Sequence, residues 1–103
     1  MPDAMRIRAN MQGEKVAVRV LMSHIMETGQ RKDASGKIVS AWFIQNVVAK
    51  HNNRVVLDAQ FGPAVSQNPL LAFTFAGGKP GEKVQVTWTD NRGESRSDEA
   101  TIA

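Results

Sequence analysis

Apolar and polar residues alternate along much of this chain with a period of two, the pattern of a β-strand that buries one face and solvates the other. Val16, Val18, Val20 and Met22 make one such run. Val55, Leu57, Ala59 and Phe61 make a second, Leu71, Phe73 and Phe75 a third, and Val84, Val86 and Trp88 a fourth. With Arg6-Ile7-Arg8, the stretch from Trp42 to Lys50 and the stretch from Ser97 to Ile102, they predict about seven short strands, the number in an immunoglobulin-like sandwich. No window carries a sustained apolar repeat at helical spacing, and there is no internal repeat.

Turn residues separate these runs. Asn52-Asn53 tolerates the positive φ angles of a tight hairpin, Asn91-Arg92-Gly93 repeats that signal, and Gly77-Gly78-Lys79-Pro80-Gly81 is a longer turn. The simplest architecture for such strands is all-β, an immunoglobulin-like antiparallel β-sandwich. At 103 residues the chain has material for one hydrophobic core, so residues 1–103 read as a single domain.

Composition removes several classes of function. There is no cysteine, hence no disulfide, thiolate nucleophile, sulfur-ligated zinc or iron–sulfur cluster within these residues. Thirteen basic and ten acidic side chains give a formal charge of +3, and the bases are scattered from Arg6 to Arg96. That is no nucleic-acid stripe. The longest apolar stretches, such as Trp42-Phe43-Ile44, fall far short of the roughly 18 residues of a membrane span. Met1-Pro2-Asp3-Ala4-Met5-Arg6 has an early acid and no apolar region after it, so no secretory signal is expected there.

One stretch breaks the alternation. From Ser23 to Ser40 the chain is polar and turn-rich, much longer than a hairpin connection, and long ordered loops on a rigid sandwich are where binding concentrates. His24 opens this loop, whereas His51 beside Asn52-Asn53 reads as a solvated turn residue. Glu27 and Asp33 share the loop with Arg31 and Lys32, which favours ionised carboxylates in weak surface ion pairs over a poised general acid. With neither a Gly-x-Ser-x-Gly elbow nor a visible nucleophile–base pair, the chain reads as not an enzyme. Alternating Met22, His24 and Met26 offer the soft donors that suit Cu(I), so a copper-binding β-sandwich is the main rival reading. Methionines on one face of a strand also fill core gaps. A free-standing adhesion module is a third reading. No glycine-rich phosphate loop or calcium loop calls for another cofactor.

The segment Ser23-His24-Ile25-Met26-Glu27-Thr28-Gly29-Gln30-Arg31-Lys32-Asp33, followed by Gly36-Lys37, closely resembles the signature of the SoxZ family of the bacterial sulfur-oxidation (Sox) system. The likeness continues through Pro63 to Phe73, including Asn68-Pro69-Leu70, and through Val86 to Gly93. The resemblance implies a non-catalytic immunoglobulin-like subunit without a cofactor. In that family it pairs as a heterodimer with SoxY, which carries sulfur intermediates on a cysteine in a glycine-flanked tail and presents them to other Sox enzymes. It also implies a periplasmic location without a signal peptide of its own, through export together with the partner. Met26, Glu27, Thr28, Gly29, Arg31, Lys32, Asn68, Pro69 and Leu70 carry the likeness outside regular strand and are the expected partner-binding residues. Arg31 and Lys32 are further expected to steer an acidic partner or favour an anionic sulfur adduct by long-range attraction.

Overall fold

The computed structural model describes residues 3–103, in which every regular element is a β-strand. The strands are β1 (Arg6–Gln12), β2 (Lys15–Leu21), β3 (Ile44–His51), β4 (Arg54–Gln60), β5 (Leu70–Ala76), β6 (Lys83–Asp90) and β7 (Ser95–Thr101). All pair antiparallel, in one sheet of order β1-β2-β5 and a second of order β4-β3-β6-β7. This three-plus-four arrangement is the predicted immunoglobulin-like sandwich.

Alternation decides what lies between the sheets. Val16, Val18, Val20 and Met22 from one sheet meet Val47, Ala49, Val84, Val86 and Trp88 from the other, none of them more than 1% exposed. Each fully buried Val or Met side chain contributes roughly 1.5–3 kcal/mol relative to exposure. The run through β4 differs from expectation. Ala49 pairs Leu57 while Lys50 pairs Val55, so Val56 is an extra residue in a bulge. The bulge flips the phase of the strand's first residues, leaving Val55 52% exposed while Val56 packs on the core.

Asn52 and Asn53 both take positive φ, 49° and 62°, as a two-residue hairpin between β3 and β4 requires. In Asn91-Arg92-Gly93 only Gly93 does so, at φ 82°. The expectation for His51 is corrected. It continues the inward phase of Val47 and Ala49 and is 3% exposed, its ring tilted on Phe75 with centroids 5.1 Å apart and its Nε2 2.9 Å from Glu82 Oε1. Hydrogen bonds from Asn52, His51 and the Lys79 backbone N–H hold the Glu82 carboxyl well below its ordinary range, at about 2.

Candidate functional site

Between β2 and β3 the long polar segment doubles back on itself. Glu27 and Trp42 exchange backbone hydrogen bonds of 2.6 and 3.0 Å, Val39 N–H donates to the Arg31 carbonyl, and Asp33 N–H to the Lys37 carbonyl. The result is an irregular hairpin arm whose tip lies at residues 33–37. Asp33 shapes the tip by accepting the hydroxyl of Ser35 and the backbone N–H groups of Ser35 and Lys37, which lower its carboxyl pKa in concert. The radius of gyration is 15.4 Å and the longest dimension 53 Å, against about 13 Å for the radius of gyration of a compact domain of this size.

At the root of the arm is a buried polar cluster that the alternation pattern itself creates. His24 follows Val20 and Met22 on the inward phase of β2, and Asp90 follows Val86 and Trp88 on that of β6, so both polar side chains enter the interior. A buried carboxylate needs partners. Asp90, 2% exposed, accepts at Oδ2 from Trp42 Nε1 at 2.8 Å and pairs there with His24 Nε2 at 3.1 Å. Its Oδ1 accepts from the backbone N–H groups of Arg92 and Glu94, each at 2.9 Å. Burial acts to raise the Asp90 pKa, but hydrogen bonds from Trp42, His24 and the Glu94 and Arg92 backbone outweigh it and hold the carboxyl below its ordinary value.

His24 is fixed from every side. Its Nδ1 accepts the Met26 backbone N–H at 3.1 Å, which assigns the ring proton to Nε2, facing Asp90. Its ring meets Trp42 and Trp88 edge to face, with centroids 5.3 and 5.2 Å apart. Its backbone N–H donates to Asn68 Oδ1 and its carbonyl accepts the Asn68 N–H, at 3.0 and 2.9 Å. Arg92 lies over the outer face of Trp42, 4.2 Å from the ring centroid. One buried cluster therefore ties together the arm, the β6–β7 turn and the segment before β5.

The two stretches singled out from sequence meet at this root, but not all their residues offer a surface. Met26, expected among the partner-binding residues, is buried: it is 5% exposed, held at φ 54°, and its Sδ accepts the Ile44 N–H at 3.3 Å. Pro69 is buried too, and its carbonyl accepts the Met22 N–H. Asn68 departs from the extended backbone that a following proline favours, taking φ 51°, because its paired bonds to His24 stabilise the left-handed conformation that Asn tolerates. Thr28, Arg31 and Lys32 are exposed on the arm, while Gly29, at φ 85°, leaves 3.1 Å between a built Cβ and Ala41 Cβ. Glu27 binds the Arg31 guanidinium with both oxygens, at 2.7 to 3.1 Å, which lowers the pKa of its own carboxyl. That pair presents no net charge, so the Arg31 charge is largely offset by Glu27. Leu70, 65% exposed, lies on the outer face of the β1-β2-β5 sheet.

The copper reading does not fit this geometry. Met22 is 0% exposed, the lone pair of His24 Nδ1 is occupied by a backbone N–H, and the Met26 sulfur is itself an acceptor. The three side chains are core and cluster. Trp42, Asp90 and Arg92 are the members sequence reasoning missed. The signal for Asp90 was present as an acid on the inward phase of an apolar strand. Beside the cluster an open cleft of ≈ 380 Å³ is lined by Ser23, His24, Trp42, Asn68, Trp88 and other residues.

The family model described as Sulphur oxidation protein SoxZ matches residues 5–101 of the chain. Among curated proteins none matches. The seven-stranded sandwich and a match that spans nearly all of its length lead to one conclusion: the chain belongs to the SoxZ family and has its role in the Sox sulfur-oxidation system.

Proposed function

We propose that this chain is a non-catalytic subunit that holds a SoxY-like, cysteine-bearing partner, forming the heterodimer that carries covalently bound sulfur during thiosulfate and sulfur oxidation. The observation that carries the reading is chemical. Covalent carriage of sulfane sulfur or a thiosulfonate requires a thiolate, and these 103 residues include no cysteine. The thiol must belong to a neighbour.

What the chain contributes is a shaped surface. An arm that leaves the sandwich is costly to hold in one conformation by its own contacts, and a buried cluster at its root supplies that order in advance. Such pre-organisation lowers the entropy lost when a partner is gripped. Thr28, Arg31 and Lys32 on the arm, Asn68 beside its root and Leu70 on the sheet are the exposed contacts in this reading; Met26 and Pro69 support them from below. An interface on the order of 1,600 Å² in total suits a stable pair. The complex operates in the periplasm, reached by export with the partner, and the other Sox enzymes act on the sulfur it presents.

Co-expression with a SoxY-like subunit tests the reading. Size-exclusion chromatography with light scattering is expected to return a one-to-one complex. Replacing residues 30–39 with a short glycine turn is expected to leave the melting of the sandwich nearly unchanged while weakening the complex at least tenfold. A wild-type chain that stays monomeric beside the partner, or a shortened arm that binds as well, would sink the reading.

A further inference from the structure

The outer face of the β1-β2-β5 sheet differs in kind from the rest of the surface. Arg6, Arg8, Lys15 and Arg19 are the only ionisable residues in these three strands; all are exposed, and no ion pair among the described residues involves them. In the other sheet Lys50, Arg54, Lys83 and Arg96 are balanced by Asp58, Asp90, Asp98 and Glu99. The excess positive charge of a chain at +3 thus has its strand-borne share on one flat face.

The register makes this arrangement unfavourable for folding alone. Arg8 stands directly opposite Arg19, and like charges in that position repel. Next to them Arg6 pairs Leu21, and Leu21 pairs Leu70. Both leucines are exposed, at 41% and 65%. Arg6, Arg8, Arg19, Leu21 and Leu70 together line a shallow depression of ≈ 250 Å³.

Arginines around exposed apolar side chains are the composition of a protein interface. A site for lipid headgroups or nucleic acid would rely on cations tracking phosphates and would gain little from a central leucine pair. The face is also continuous with the arm root. Leu21 leads directly into Met22, Ser23 and His24, Leu70 follows Asn68-Pro69, and a second cleft lined in part by Arg6, Leu21, Ser23 and Asn68 joins the two.

We infer that the partner-binding surface extends from the arm root across this sheet face, and that the partner presents there an acidic surface with an apolar patch opposite Leu21 and Leu70. The inference rests on the reading that the chain holds a cysteine-bearing protein and adds the chemistry of the contact. Acidic groups on that protein relieve the Arg8–Arg19 repulsion on docking, and the attraction speeds association and weakens with salt.

Single charge reversals separate binding from folding. Arg8→Glu places a carboxylate opposite Arg19, and Arg19→Glu places one opposite Arg8, so each free variant is expected to melt at the wild-type temperature or above. Each is expected to bind the SoxY-like subunit at least tenfold more weakly, with a shallower dependence of affinity on salt. A wild-type chain that forms no complex overturns this inference together with the functional reading. A complex whose affinity and salt dependence are unchanged by both reversals leaves the functional reading standing and overturns the inference alone. Tighter binding of the wild-type chain to vesicles of equal phosphatidylglycerol and phosphatidylcholine, or to duplex DNA, than to the protein partner also overturns it.

Discussion

Asp90→Ala is expected to remove about 3 kcal/mol of stability, since losing one buried carboxylate strands several donors at once. Trp42 Nε1, His24 Nε2 and the backbone N–H groups of Arg92 and Glu94 all lose their acceptor. Each unsatisfied buried donor costs roughly 1–3 kcal/mol, reduced where water enters, which the cleft beside His24 and Trp42 permits. For a domain of this size the melting temperature should fall by roughly 12–24 °C. Asp90→Asn should lose less, because its carbonyl oxygen still accepts on one side while its amide group faces donors on the other. Urea denaturation gives the size of the loss, and amide hydrogen exchange gives its location. Faster exchange concentrated in residues 24–43 is expected, with weaker partner binding to match. A loss under about 1 kcal/mol, or one spread evenly over the sandwich, would show that the cluster does not order the arm.

The second large effect lies at the opposite end of the sandwich, past the end of β5. A Cβ on Gly78 would sit 2.5 Å from Val16 Cγ2 and 3.2 Å from both Ile102 Cδ1 and Phe75 Cε2. Val16 is 0% exposed and β-branched, so its methyl has no free rotamer to move into. Gly78→Ala should therefore cost about 2–3 kcal/mol by overpacking. Gly93→Ala is the control: nothing lies within 4 Å of its Cβ position, and only its φ of 82° opposes a side chain, for which about 1 kcal/mol is expected. Because Gly78 is remote from the arm, whatever folded Gly78→Ala protein remains should bind the partner normally. Equal losses from the two substitutions in urea titrations would contradict the packing argument.

The contrast between these two sites shows what could be read from sequence. Period-two alternation identified most strands and their inward faces, because burial of one face is a property of each strand by itself. It misled at Val55, where the bulge at Val56 changes phase without any local mark in the sequence. At His51 the neighbouring asparagines suggested a solvated turn, although counting from Val47 and Ala49 puts the ring inside.

The arm was visible as an interruption of the pattern, and the stretches expected to bind a partner as a family resemblance. Their meeting was not visible. His24 and Asn68 are joined by paired backbone and side-chain hydrogen bonds across 44 positions of sequence, and His24 and Asp90 across 66; no local periodicity encodes which distant segments touch. Met26 shows the same limit. Its likeness to the family placed it in the binding segment, but its positive φ and the Ile44 contact turn it inward as a support.

The most direct test of the central claim is intact-mass spectrometry of both subunits after the assembled complex has been supplied with thiosulfate and the remaining Sox enzymes. The expected result is a sulfur-containing mass increment on the cysteine-bearing partner and an unchanged mass for this chain. A sulfur adduct on this chain, or turnover of a sulfur compound by it without any partner, would contradict the account.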